Sequence, residues 1–80
     1  MKDLVEFVVG SLVDHPDQVN VTEVETPGET VLELTVAGSD MGRVIGKGGR
    51  VINSIRSLVQ VAAAKQGKRV TLELLESDDQ

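Results

Sequence analysis

The sequence predicts an α+β domain in which a three-stranded mixed sheet carries its helices on one face. Three observations lead there. Segments with apolar residues at helical spacing alternate with short segments of period-two hydrophobicity. The order along the chain is α-β-β-α-α-β. A helical crossover separates the last two strands, which favours a parallel pair joined by a right-handed connection. With 80 residues the chain is a single domain, and a domain of this size buries only roughly 60% of the surface its unfolded form exposes.

Leu4, Val5, Phe7, Val8, Leu12 and Val13 recur at helical spacing, so residues 2–14 read as an amphipathic helix. His15-Pro16 ends it, because proline disfavours the helical region in the residue before it. Val19, Val21 and Val24 mark a strand over about 19–26, and the slip in alternation between Val21 and Val24 suggests a bulge or a twist. Thr26-Pro27-Gly28-Glu29 has the proline and glycine of a type II turn. Leu32, Leu34 and Val36 then alternate with Glu33 and Thr35, completing a hairpin. Ser39 or Asp40 can cap a short helix whose apolar side is Met41, Val44 and Ile45, and Gly46 stops it. A longer helix runs from about Gly49 to Gln66, with Val51, Ile52, Ile55, Leu58, Val59 and Ala62 on one arc. Gly67 ends it, and Val70, Leu72 and Leu74 alternate as the last strand. The domain therefore spans 1–75, followed by an acidic flexible tail, 76–80.

Composition excludes several functions. There is no cysteine and only one histidine, His15, so neither a disulfide framework nor a Cys or paired-His metal site is available, and no cofactor is expected. Phe7 is the only aromatic residue, which leaves an aliphatic core and removes aromatic stacking on nucleic-acid bases. The longest apolar run is the four residues Val61–Ala64, too short for a membrane span. Lys2, Asp3 and Glu6 break any secretory apolar region, so the expected location is the cytoplasm. No pairing of nucleophile and base is visible, and an enzyme is not expected. His15 reads as a surface residue at a helix end.

The net charge of −5 hides a segregation. Residues 1–40 carry nine acids and one base, residues 41–69 carry seven bases and no acid, and residues 70–80 carry four acids and no base. A preference of bases for helix C-termini explains Lys65, Lys68 and Arg69. It does not explain Arg43, Lys47 and Arg50, which point to a local anion-facing surface. The acids of the first forty residues read as a solvated face that repels phosphate from the wrong side.

Those three bases surround Gly46-Lys47-Gly48-Gly49, a four-residue connection between two helices. Gly46 and Gly49 allow positive φ, and Gly48 removes a side chain that would stand between loop and ligand. The helix that follows offers unpaired N–H groups and the positive end of its dipole, an arrangement that suits a phosphate. The spacing does not fit a Walker loop, since Gly42 and Gly46 are three residues apart and Lys47 is followed by Gly48. It does not fit a dinucleotide fingerprint either, since position 51 is Val and a helix precedes the loop. A plain helix–helix connector remains the simplest alternative.

Val44-Ile45-Gly46-Lys47-Gly48-Gly49-Arg50-Val51-Ile52-Asn53-Ser54-Ile55 resembles the hallmark of a K-homology (KH) domain, Val-Ile-Gly-x-x-Gly-x-x-Ile-x-x-Ile. The element order looks like the type II KH fold, and the resemblance covers roughly residues 2–75. A chain of this size with an acidic tail is similar to the stand-alone bacterial KhpA family. The start at Met1 fits a complete protein better than a fragment of a ribosomal or GTPase-linked KH protein.

The resemblance implies a small single-stranded RNA binder and RNA chaperone. It also implies a KhpB-like RNA-binding partner and a link to cell elongation and shape. It implies that Gly46, Lys47, Gly48 and Gly49 clamp the RNA backbone. Arg43 and Arg50 would hold flanking phosphates, while Val44, Ile45 and part of Ile52 floor the groove. Ile52 has the plainer reading of a core residue. The competing function is a protein-interaction subunit, a KH-shaped scaffold acting mainly through an RNA-binding partner. Ser54, Ser57, Val61 and Ala64 form an uncharged arc on the long helix, the candidate surface for a homodimer or heterodimer.

Overall fold

A computed structural model describes residues 1–76. Its elements are α1 (Lys2–Leu12), β1 (Asn20–Thr26), β2 (Glu29–Thr35), α2 (Met41–Ile45), α3 (Arg50–Lys65) and β3 (Val70–Leu74). The sheet order is β1-β2-β3; β1 and β2 are antiparallel, and β2 and β3 are parallel across the α2–α3 crossover. The expected α+β architecture and element order are both present. The tail assigned to 76–80 lies, from residue 77 onward, outside the described residues.

Period-two burial decides the layering. Leu32 and Leu34 on β2, Val70 and Leu72 on β3, and Val21 on β1 point under the helices. They meet Val5 and Val9 of α1, Val44 of α2, and Ile52, Ile55, Val59 and Ala63 of α3. The core is wholly aliphatic, and burying a side chain of this kind contributes about 1.5–3 kcal/mol. The hairpin turns through Pro27-Gly28 with Gly28 at φ +96°, the positive value a type II turn requires at that position.

The structure corrects the sequence reading in several places. α1 ends at Leu12, two residues early, because Val13 is already extended. Phe7, counted in the apolar arc, is 74% exposed. The helix leans on its narrow Val5–Val9 stripe, and Phe7 falls well round from it on the wheel. β1 carries no bulge: its register runs unbroken from Asn20↔Thr35 to Thr26↔Glu29. Val24 breaks the alternation simply because it lies on the open face, opposite to Val21. Leu58, expected in the core arc of α3, is 58% exposed, and Ala63 takes the buried place. The buried arc is centred on Val59, so Leu58 rides past its edge.

Neither Ser39 nor Asp40 caps α2 through its side chain. Asp40 is buried instead, and its two carboxylate oxygens accept the backbone N–H groups of Asp14 (3.1 Å) and His15 (3.0 Å). The carboxylate therefore ties the end of the α1 segment to the start of α2. Asp40→Ala is expected to leave both N–H groups without an acceptor and to destabilise the fold by about 1–3 kcal/mol. Asp40→Asn keeps one acceptor oxygen and should cost less. Urea midpoints for the two variants check the order.

Candidate nucleic-acid interface

The α2–α3 connection is built by its glycines. Gly46 has φ +77° and ψ 175°, Gly48 has φ +64°, and Gly49 has φ +81°. Gly46 closes α2 through its N–H to the carbonyl of Gly42 (2.9 Å), and its own carbonyl accepts the N–H of Gly49 (3.2 Å). A Cβ on Gly46 would lie 2.4 Å from Val51 Cγ2, so the loop folds back tightly onto the first turn of α3. A Cβ on Gly48 would meet nothing within 4 Å. The two positions thus differ: Gly46 is a packing requirement, whereas Gly48 leaves the loop tip open.

Lys47, Gly48 and Arg50 are exposed, and Gly49 is half-buried beside Asn53. No side chain caps the N-terminus of α3; the N–H of its first residue, Arg50, bonds to the carbonyl of Lys47, and the positive end of the helix lies beside the cationic Lys47 and Arg50. Ser54, a turn further on, donates its hydroxyl to the carbonyl of Arg50 (2.8 Å). Arg43, one turn before the loop, is exposed, and its Nη2 lies 3.4 Å from Asp14 Oδ2. That ion pair is solvated on both sides and worth little by itself. Its position is set by Asp40, which holds the backbone of Asp14.

The loop thus brings together Gly46, Lys47, Gly48, Gly49 and Arg50, with Arg43 and the half-open Ile45 on the preceding turn. Val44 is not part of this surface. It is fully buried, so it supports the loop from the core and cannot floor a groove. Ile52 is likewise core. Three residues the sequence reading did not single out also matter: Asp14, Asn53 and Arg56. Arg56 donates from Nε to the carbonyl of Leu72 on β3 (3.1 Å) and from Nη1 to Asn53 Oδ1 (3.2 Å), joining α3 to the sheet edge. An arginine breaking an apolar arc was the available signal, but its partner is a backbone carbonyl that sequence cannot name.

On the outer side of α3, Ser54, Ser57, Leu58, Val61 and Ala64 are all exposed, with Val61 at 62%. Leu58 thereby adds a second large apolar side chain to the uncharged arc.

The family model for the KhpA/KhpB KH domain matches residues 2–74. The chain belongs to that family. The match spans every element described above, loop included. This KhpA/KhpB-type KH domain is 49% identical over 75 residues to the RNA-binding protein KhpA of Clostridium acetobutylicum, covering 94% of this chain and all of that protein. It is 48% identical over 75 residues to RNA-binding protein KhpA of Clostridium perfringens, with the same coverage. For RNA-binding protein KhpA of Aquifex aeolicus the identity is 45% over 76 residues, with 95% and 96% of the two chains covered. The family is one of KH domains, not of enzymes. Among the described residues no acidic or histidine cluster could hold a metal ion, and no helix is long and apolar enough to cross a membrane.

Proposed function

We propose that this KH domain binds single-stranded RNA by clamping the backbone with residues 46–49. The observation that carries the reading is the loop itself. Three positive-φ glycines expose the uncapped start of α3 between Lys47 and Arg50, in a stretch of the chain free of acids. Phosphates sit against Lys47, the Gly48 and Gly49 backbone and Arg50; Arg43 takes a flanking phosphate by exchanging Asp14 for it; Ile45 offers the apolar contact. The names of the relatives support RNA as the polymer. With a single aromatic residue, Phe7 of α1, and none in the loop or its flanking helices, stacking of ~1–3 kcal/mol per base is not supplied there, so affinity is modest and sequence preference weak. These properties suit an RNA chaperone working in the cytoplasm beside a KhpB-like partner whose further RNA contacts raise the avidity.

Three or four phosphate contacts predict that log K falls against log salt with a slope of about −2 to −3, at ~0.7 per contact for a single strand. Fluorescence anisotropy with a labelled single-stranded oligonucleotide measures the slope. Duplex RNA of the same sequence should bind less well, because its bases are not free to enter the site. An affinity indifferent to salt, or a preference for duplex, overturns the clamp.

The exposed Leu58 and Val61, set among Ser54, Ser57 and Ala64, favour a dimer packed through α3, with a second copy or a KhpB-like chain. A helix face opposite the core normally carries charge, and this one is uncharged over its middle turns. Val61→Glu is expected to give folded monomers in sedimentation velocity. A monomeric parent removes the proposal.

A further inference from the structure

The two edges of the sheet are not equivalent. On β3, Arg56 donates to the carbonyl of Leu72, so a side chain already occupies an outward acceptor at the middle of that edge. On β1, among the described residues, no backbone hydrogen bond reaches the outer side. The orientation of its backbone follows from β2. The N–H of Thr30 donates to the carbonyl of Arg69, and the carbonyl of Leu34 accepts the N–H of Leu75. Thr30, Leu32 and Leu34 therefore turn their backbone groups toward β3. Their register partners Glu25, Glu23 and Val21 turn theirs outward.

β1 carries few of the devices that normally protect an edge. Its seven residues hold no Lys, Arg or Pro, its register has no bulge, and its only charges are the two glutamates Glu23 and Glu25. What flanks the edge is acidic: Glu23 and Glu25 are exposed on the same side of the strand as Val21, while Thr22, Val24 and Thr26 lie on the other. A long open edge of this kind is a template for strand pairing, and the charge selects the occupant. Nucleic acid is repelled. A second copy paired along the whole of β1 sets Glu23 against Glu23, which is unfavourable.

We propose that the outer edge of β1 docks an extended segment of another protein that carries Lys or Arg at alternate positions. The segment adds to the sheet as a fourth strand, bonded to the outward backbone groups of Val21, Glu23 and Glu25. Its cationic side chains lie opposite Glu23 and Glu25, and β-branched residues between them cover Val24. This site is separate from the α2–α3 loop and does not depend on RNA binding there.

The test uses the full chain and a nine-residue peptide that alternates lysine with valine and threonine. At saturating peptide, amide hydrogen exchange at Val21, Glu23 and Glu25 is expected to slow at least tenfold. The same peptide N-methylated along its pairing edge should bind at least tenfold more weakly. Glu23→Lys combined with Glu25→Lys should also lose at least tenfold. Glu23→Pro removes an outward donor without breaking a bond to β2, and should weaken binding similarly. If circular dichroism shows that the proline variant is unfolded, the lysine pair and the N-methylated peptide decide. Equal binding of the N-methylated peptide reduces the contact to charge alone and overturns the proposal. So does protection of the β1 amides by single-stranded RNA, or protection that grows with protein concentration when no peptide is present.

Discussion

A chain carrying Lys47→Asp together with Gly48→Asp is expected to fold as the parent does and to bind single-stranded RNA at least tenfold more weakly. The fold is spared because both positions are exposed and a Cβ at Gly48 has open space around it. Gly48 sits at φ +64° and ψ +19°, a left-handed conformation that Asp enters more readily than most residues do. Binding suffers twice. One cation is removed, and two carboxylates stand where phosphates would sit, at the end of α3 that favours negative charge. A tenfold loss corresponds to ~1.4 kcal/mol, a small demand on such a reversal. Anisotropy titrations beside circular dichroism make the comparison. Self-association through the outer side of α3 should be unchanged, because Val61 lies about three turns further along the helix. A folded variant that binds RNA like the parent refutes the clamp and leaves the scaffold reading in its place.

Gly46→Ala, two residues away, is expected to do the opposite: to damage the fold before it touches binding. Its Cβ would meet Val51 Cγ2 at 2.4 Å, and both Val51 Cβ and the Val51 backbone nitrogen at 2.9 Å. The backbone nitrogen cannot move aside without displacing the first turn of α3. In addition, φ +77° with ψ 175° belongs to a region that is essentially closed to residues with a side chain. Overpacking of about 1–3 kcal/mol and backbone strain of similar size act together. In a domain this small, each kcal/mol lowers the melting temperature by about 4–8 °C. Thermal unfolding should therefore fall by roughly 10 °C or more, against a small change for the Lys47/Gly48 double variant. A Gly46→Ala protein as stable as the parent would show that the loop does not pack on Val51 as described.

The order of elements was legible because periodicity is a local property. Leu32, Leu34 and Val36 alternate, Ile52, Ile55 and Val59 recur at helical spacing, and glycines or a proline mark most of the boundaries. The loop was legible for the same reason, since Gly46 and Gly49 serve a conformational need that no other residue meets as well. What escaped was set by partners distant in sequence. Asp40 looks like a helix cap until the donors to its carboxylate are found to be the backbone N–H groups of residues 14 and 15. Val44 reads equally as groove or core, and only its neighbours decide. Leu58 stands past the margin of the arc formed by Ile52, Ile55, Val59 and Ala63, where periodicity alone does not separate burial from exposure. Phe7 reads inward on hydrophobicity, although α1 has too narrow a contact to shelter it.

The parallel pairing of β2 with β3 has a consequence for how the protein comes into being on the ribosome. The hairpin and α1 can form early, since their contacts are close in sequence. The central strand β2 stays half-paired until residues 70–74 arrive, after α2, the glycine loop and α3 have all been made. Bringing such separated segments together is the slow, entropically costly part of folding. The basic loop is thus synthesised before the strand that fixes the underside of α3 exists. A nascent chain stalled short of Val70 would display the glycines and their cations on an incomplete sheet, so the loop gains its full support only with the last strand.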